Sequence, residues 1–406
     1  MRLRGAVVLL LLNLMAWGEE WKFSFEQRTR YEGRWGINFG KDPEEQYALL
    51  RTRLGLAYTP VSWLKISAMA QDARAPGYAT ASASYRDPLD LQEAYVEING
   101  AKKTGFAMLV GRQMVNYGEA RLIGSPQWGN VARTWDQARA SYKWTKWTAE
   151  GLLVSPVKVQ TDGFNRIRLG DRIWGAYVTG REVWPKTQTD FYVLRHDKDQ
   201  WRVNAYGFRW GGPLPRGFQF DMEGVLENGQ VAAARQRAGA YYGGLSRGLT
   251  VGGRKVTVSG EYKYASGTEN PADLSRYGTF DQFYPANHDK FGHEDLVGWR
   301  NIHNVRAVAV SPVAKRVSVT VMYDSYWLAS ERDALYNGSG NAVARSPLGT
   351  AGRHVGQEVD VFSTFQAGKR WSFGAGYGYF VVGEFVRKTT PGVSPQLVYF
   401  FYTFSL

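Results

Sequence analysis

Hydrophobic and polar positions alternate along most of this chain with a period of two. Between Trp21 and Tyr31, the row Trp21, Phe23, Phe25, Thr29 and Tyr31 is opposed by Lys22, Ser24, Glu26, Arg28 and Arg30. Successive side chains of a strand point to opposite faces, so the pattern predicts a strand with one apolar and one charged face. Elsewhere, Phe218, Phe220 and Met222 alternate with Gln219, Asp221 and Glu223. Val317, Val319, Val321 and Tyr323 alternate with Ser318, Thr320, Met322 and Asp324. Such segments are expected near 21–31, 47–58, 63–74, 89–98, 104–114, 132–144, 147–157, 172–181, 187–197, 201–210, 217–227, 236–247, 254–266, 301–312, 316–328, 355–367, 371–383 and 396–406. That is about 18 strands, and no stretch of useful length has a helical period.

The connections alternate in length. Long ones fall near 32–46, 75–88, 115–131, 158–171, 267–300 and 329–354. Tight turns are expected at Thr59–Ser62, Asn99–Gly100, Thr145–Lys146, Ser311–Val313 and Gly368–Lys369, and 198–200 is a short connection where a long one is due. Long loops at one end and short turns at the other are the habit of outer-membrane barrels, with the long loops outside the cell and the short turns in the periplasm. A soluble sandwich has no need of that asymmetry. The expected fold is therefore all-β: a transmembrane antiparallel barrel of one domain, residues 19–406. The last strand, Val398 to Leu406, puts Val398, Phe400, Tyr402, Phe404 and Leu406 on one face. It resembles the terminal strand read by the barrel-assembly machinery, an expected partner, although Leu406 stands where an aromatic is usual.

Residues 1–18 fit a secretory signal. Arg2 and Arg4 precede an apolar stretch from Ala6 to Ala16, and Ala16-Trp17-Gly18 is a small-x-small cleavage site. That stretch is too short to span a bilayer as a helix. With no other long apolar run, a membrane protein of this sequence has to be a closed barrel. The absence of cysteine removes disulfides, thiolate metal sites and a cysteine nucleophile. The formal charge is +13, and loss of Arg2 and Arg4 leaves a surplus of 11. A basic surplus implies anionic partners. The charges are spread one or two per strand, without the basic run of a nucleic-acid arm, so outer-membrane lipids and an anionic solute are the expected partners.

The polar rows carry the candidate chemistry. Arg28 and Arg30 share the first strand's wet face, Arg51 and Arg53 the second's, Lys65 follows on the third, and Arg133, Arg139 and Lys143 lie on the sixth. Neighbouring strands of a meander would crowd these charges on one wall. A narrow pore lined by arginine favours anions and excludes cations. Structural ladders are the alternative, with Glu26, Glu93, Glu97, Asp136, Glu358 and Asp360 as partners. His288, Asp289, His293, Glu294 and Asp295 share one loop; His288, His293 and Asp295 are weak metal candidates, and loop groups of this kind are usually solvated. No nucleophile-elbow pattern is present, so neither an enzyme nor a cofactor is expected.

Longer blocks carry a family resemblance. They are Gln71-Asp72-Ala73-Arg74 with Asp90-Leu91-Gln92-Glu93-Ala94-Tyr95; Val110-Gly111-Arg112-Gln113; Tyr117 to Gly124; Trp128-Gly129-Asn130; and Arg133-Thr134-Trp135-Asp136. Further blocks are Phe280-Asp281 to Asn301, Trp327-Leu328-Ala329 with Asp333 to Tyr336, and His354 to Asp360. The chain resembles the alginate-export family of outer-membrane porins. The resemblance implies an 18-stranded barrel with an arginine-rich constriction, passive polyuronate export, and gating by an extracellular loop and a periplasmic turn. Arg112, Arg121, Arg133 and Asp136 match motif positions; Trp135 stands where the family has Phe. The expected path is Arg28, Arg30, Arg51, Arg53, Arg112, Arg121, Arg133 and Arg139 with Asp136, Glu93, Glu358 and Asp360, in a monomer. The alternatives are an uptake porin for small anionic or neutral solutes, and an outer-membrane adhesin or enzyme.

Overall fold

The computed structural model describes residues 20–41, 44–78 and 83–406. The expected signal segment and its cleavage site lie outside them. Eighteen strands form the wall: β1 (Glu20–Trp35), β2 (Glu45–Val61), β3 (Leu64–Arg74), β4 (Asp87–Ile98), β5 (Gly105–Gln113), β6 (Trp135–Lys143), β7 (Trp147–Lys158), β8 (Asp171–Arg181) and β9 (Gln188–Lys198) are the first nine. The rest are β10 (Trp201–Pro213), β11 (Phe218–Val231), β12 (Ala234–Val251), β13 (Arg254–Ala265), β14 (Ile302–Ala314), β15 (Val317–Leu328), β16 (His354–Ala367), β17 (Trp371–Val382) and β18 (Gln396–Ser405). Each pairs antiparallel with its neighbours in sequence, and β1 also pairs with β18, from Glu26 opposite Ser405 to Trp35 opposite Gln396. The ladder therefore closes and leaves no edge, the condition for crossing a bilayer with strands.

The period of two becomes an inside and an outside. On β1, Phe23 is 54% exposed while Arg30 is 1% exposed. On β15, Val321 and Tyr323 are exposed while Met322 and Asp324 are buried. Aromatic side chains gather on the outer face near the short-turn end. Trp21 stacks on Tyr58 at 4.1 Å, Trp371 meets Phe404 at a tilt at 4.7 Å, and Trp63, Tyr142 and Trp144 are exposed nearby. Amphipathic rings favour the lipid–water boundary, and a girdle there fixes the barrel's height in the membrane.

The connections segregate as expected, with two refinements. One end carries 36–44, 75–86, 114–134, 159–170, 266–301, 329–353 and 383–395, the last including the short helix α1 (Glu384–Thr389). At that same end both 199–200 and 232–233 are two-residue turns, so short connections on the loop side number two and not one. The turn expected at Ser311–Val313 lies instead at Lys315–Arg316, and that expected at Thr59–Ser62 lies at Ser62–Trp63. Pro312 stays within β14 because the register shifts between Pro312 and Ala314. A bulge tolerates a residue that has no N–H to give to the ladder. On β5, Gly111 has φ +127°, and a Cβ there would sit 2.3 Å from the Ala94 carbonyl oxygen. Only glycine lets β4 and β5 approach at that point.

Leu54 is 59% exposed on the outer row of β2, opposite Phe25 and Ala70. Leu54→Arg is expected to cost about 2–4 kcal/mol of folding stability in lipid. Reversible unfolding from bilayers measures it; a loss below about 0.5 kcal/mol would place this row away from hydrocarbon.

Candidate functional site

Two of the long loops fold into the barrel. Residues 127–129 of the 114–134 loop lie against the inward face of β1 and β2, where three arginines grip their backbone and a fourth holds the Gln127 side chain. Arg28 donates from Nη1 to the Gln127 carbonyl at 2.8 Å, and from Nη2 to the Trp128 and Gly129 carbonyls at 3.1 and 2.9 Å. Arg30 Nη1 donates to Trp128 O at 2.5 Å, with its guanidinium 3.8 Å from the Trp128 ring centroid. Arg51 Nη1 donates to Gln127 O and Gly129 O at 3.3 and 3.2 Å, and Arg53 Nη1 to Gln127 Oε1 at 3.0 Å. Three consecutive carbonyl oxygens suit planar forks that carry several donors each.

The same loop reaches the far wall. Arg121 donates to Glu223 at 2.8 Å and Asp221 at 2.5 Å on β11, and lies 3.5 Å over the Tyr242 ring on β12. Burial works against its charge, but Glu223 and Asp221 outweigh it and hold the guanidinium above its ordinary range. Arg209 on β10 links Asp221 at 2.8 Å and Glu119 of the loop at 2.9 Å. Strands β1–β2 and β10–β12 stand half a turn apart in the closed ladder, so the loop crosses the lumen. Its ends are fixed as well. Glu93 accepts the Met114 N–H at 2.8 Å, and the buried Asn130 amide donates to the carbonyls of Leu50, Arg74 and Tyr85 at 3.0–3.1 Å.

The 266–301 loop forms a second inner layer. Gly124 N–H donates to Tyr284 O at 3.0 Å and Tyr284 N–H to Leu122 O at 2.9 Å, a short ladder between the loops. Arg133 completes the joint, donating to Gly124 O, Tyr284 O and Pro285 O at 3.0, 2.8 and 3.1 Å. Burial brings its guanidinium down to about 10, which leaves it cationic at neutral pH. A column of rings then crosses from loop to loop to wall: Trp128 stacks on His288 at 4.2 Å, His288 on His293 at 4.4 Å, and His293 on Phe362 at 4.8 Å. Burial, with His288 and Arg306 adding, pulls the His293 imidazole down to about 2, so the stack does not set two cations face to face. Beneath it, Glu358 accepts the Glu294 N–H at 2.9 Å and Asp360 the His293 N–H at 3.3 Å.

Several sequence expectations need correction. Arg112 and Asp136 form a bidentate pair at 2.8 and 3.1 Å, but on the outer row of β5 and β6 with Val110 and Ala138, beside Asn165 of the 159–170 loop. One step of parity separates them from the inward Gln113 and Trp135, so they do not line the lumen. Arg121 and Arg133 belong to loops and act as struts between elements. Glu93, Glu358 and Asp360 accept loop N–H groups where they were expected to answer wall arginines. Arg139 does face inward, donating to Gln113 at 3.1 Å and lying 3.6 Å from Glu150. His288 and His293 are used as stacking rings, with His288 Nδ1 2.9 Å from Asp295 Oδ2. Among the described residues no group of three or more His, Asp or Glu side chains is set to hold a metal.

The charge that remains is concentrated at β1–β2. A cavity of about 500 Å³ is lined by Glu26, Arg28, Arg30 and Arg51 with Gln127, Trp128, Phe401 and Thr403. A second, of about 400 Å³, opens on the other side of Gln127 and Trp128, between the two loops. Among the described residues Glu26 is the one carboxylate lining the first cavity, 2.8 Å from Arg51 and 4.0 Å from Arg53 nearby; Glu32 pairs with Arg30 and Arg34. Carbonyl oxygens satisfy the donors but carry no net charge, so the field there stays positive. Among the described residues Arg28 Nε and Arg53 Nη2 have no hydrogen-bond partner. Sequence reasoning missed Gln127, Trp128, Arg209, Asp221 and Glu223 as parts of the site. Trp128 belongs to the Trp128-Gly129-Asn130 block of the family resemblance, but nothing local marks it as a pivot.

The family model for alginate export matches residues 20–400, and the chain belongs to that family. No protein of curated function matches it. Among solved structures, Pseudomonas aeruginosa OccK1 (OpdK) shares 10% identity at a TM-score of 0.66, covering 95% of this chain and 98% of that one. Pseudomonas aeruginosa OpdQ shares 11% identity at 0.66, covering 95% and 97%. Pseudomonas aeruginosa OpdK solved with vanillate shares 9% at 0.65, covering 95% and 98%. At these identities the likeness is one of fold. The protein is an outer-membrane β-barrel channel.

Trp128 joins both loops, so Trp128→Ala is expected to raise single-channel conductance about twofold; an unchanged conductance would mean the loops do not narrow the path. Burial pushes the Glu294 carboxyl up to about 8 from 4.5, with Asp360, Asp295 and Glu32 adding and Arg34 opposing. A raised folded value means this group favours docking below pH about 4.5 and loses that contribution as pH rises through about 8. Conductance noise is therefore expected to grow between pH 6 and 9, and Glu294→Gln to flatten the dependence. Identical pH profiles for the two proteins would exclude Glu294 as the cause.

Proposed function

We propose that this member of the alginate-export family is an anion-selective passive channel for carboxylate-bearing sugars, with alginate-like polyuronate as the reference substrate. The observation that carries this reading is the cluster of Arg28, Arg30 and Arg51, with Arg53 beside them, at a cavity whose lining includes one acid, Glu26. A carboxylate entering from the periplasm meets guanidinium groups already ordered by the loop. It gains attraction without the cost of arranging them. Cations meet the same field as a barrier. Exchange among several weakly held positions, Arg28, Arg51 and Arg53, suits passage better than one tight site.

Uptake or release of small acidic solutes is the second reading. It is favoured by the stacking of Trp128 on His288, which joins two loops across the lumen and leaves cavities of about 400–500 Å³ on either side. Spaces of this size suit one or two sugar rings rather than a chain in transit. A solved channel of the same fold holds vanillate, a small carboxylate. Both readings share the carboxylate and differ in its length.

Reversal potentials in planar bilayers under a KCl gradient test the common part. Wild type is expected to prefer chloride, and Arg28→Gln with Arg51→Gln to reduce the chloride-to-potassium permeability ratio about threefold or more. Glutamine keeps donors for the loop carbonyls, so the change removes charge with little loss of anchoring. A cation-selective or unselective wild type would overturn the proposal. Blocking by monomeric uronate against long polyuronate separates the two readings.

A further inference from the structure

The outer face of β8–β12 carries charge at the loop end of the barrel, where headgroups are met. The registers place these side chains in rows. In the upper row, Arg172 faces Asp197, Asp197 faces Arg202, Arg202 faces Gln230 and Gln230 faces Arg235. Two residues toward the midplane, Trp174, Arg195, Asn204, Asn228 and Arg237 oppose one another in the same way. Both rows share the outward parity of Val193, Tyr206 and Leu226, the last 70% exposed. Five arginines of these strands thus meet one acid, Asp197, with Asp199 in the adjoining turn and the Arg276–Asp273 pair beside Arg235 at the patch's edge. Asp197 is held by Arg195 at 2.9 Å, Arg172 at 3.8 Å and the Trp174 indole N–H at 2.8 Å. Among the described residues, Arg202, Arg235 and Arg237 have no ion-pair partner. The connections above them, 199–200 and 232–233, are the two-residue turns, so these connections do not overhang the patch.

Directly below the arginines the face is apolar and hollow. Phe191, Val193, Tyr206, Phe208, Leu226 and Tyr241 wall a groove of about 770 Å³ on the outer surface. Gly224 and Gly239 make its floor; a Cβ on Gly224 would meet nothing within 4 Å. A lipid-facing wall needs only to be apolar. A groove beneath five arginines asks for a ligand with an anionic head and an apolar tail. Guanidinium groups bind phosphate oxygens through paired N–H bonds, and each basic group near a membrane surface adds attraction to anionic lipid.

We propose that this face binds a phosphate-bearing lipid of the outer leaflet, with Arg202, Arg235 and Arg237 on the phosphate and an acyl chain in the Gly224–Gly239 groove. The leaflet follows from the polarity of the barrel, since the arginines lie at the long-loop, extracellular end. The site is separate from the lumen, because every residue in it has outward parity.

The test uses the full barrel in detergent, titrated with diphosphoryl lipid A, with the same lipid dephosphorylated, and with inorganic phosphate. Native mass spectrometry reads the retained lipid and thermal unfolding reads the stabilisation. Diphosphoryl lipid A is expected to be retained and to raise the unfolding temperature. Arg202→Gln with Arg235→Gln and Arg237→Gln is expected to cut retention about tenfold or more. Gly224→Leu, which fills the groove and leaves the arginines in place, is expected to cut it as well, and both variants should keep wild-type conductance. Equal retention of the dephosphorylated lipid, or wild-type retention by the triple variant, overturns the proposal. So does an equal thermal shift with inorganic phosphate, which would make this a free-anion site. Should the triple variant not fold, Gly224→Leu decides alone, and its wild-type retention overturns the proposal.

Discussion

Three guanidinium groups gripping three consecutive carbonyl oxygens, with a fourth, Arg53, on the Gln127 side chain, are the interaction on which the channel depends. Arg28, Arg30, Arg51 and Arg53 are nearly buried, and buried cations are costly unless hydrogen-bonded. Carboxylates could have met that need and would have cancelled the charge. Glu32 and Glu26 do so for Arg30 and Arg51, while carbonyl oxygens of Gln127, Trp128 and Gly129 meet much of the remaining need without cancelling. One arrangement therefore anchors the loop and leaves a surplus of positive charge on the β1–β2 wall of the lumen.

The remainder of the interior follows from the size of the barrel. Eighteen strands enclose a lumen too wide for wall side chains to fill. The 114–134 and 266–301 loops occupy it, and their backbone groups need partners in turn. Wall acids supply them: Glu93 for Met114, Glu358 for Glu294 and Asp360 for His293. Arg121 and Arg133 do the converse service, reaching from the loops to carboxylates and carbonyls. Charged side chains on the inward rows thus have two occupations, holding the loops and facing the solute, and the β1–β2 arginines have both.

The wall was legible in the sequence because its rule is local. A period of two, interrupted by turns, located all eighteen strands, and rows such as Phe23 against Arg28 and Arg30 told outside from inside. Parity was overridden where a position came from the family motif instead of register: Arg112 matches a motif arginine but stands in step with Val110 and faces out. The inner layer was not legible. Whether residues 127–129 lie over the rim or inside it depends on partners about 75–100 positions away in sequence, and no periodicity encodes that. The same holds for the ring column, because His288 and His293 read alone suggest a metal and only the fold sets them between Trp128 and Phe362.

The field at the β1–β2 arginine cluster can be measured directly, since the chain has no cysteine to interfere. A single Gln127→Cys would be placed beside Arg28, Arg51 and Arg53, and its rate of modification by small thiosulfonate reagents of opposite charge and similar size compared from the periplasmic side. The arginine cluster predicts that the anionic reagent reacts about tenfold faster or more at low ionic strength, with the gap narrowing in salt. Equal rates, or faster reaction of the cation, would contradict a positive field held by Arg28, Arg30, Arg51 and Arg53.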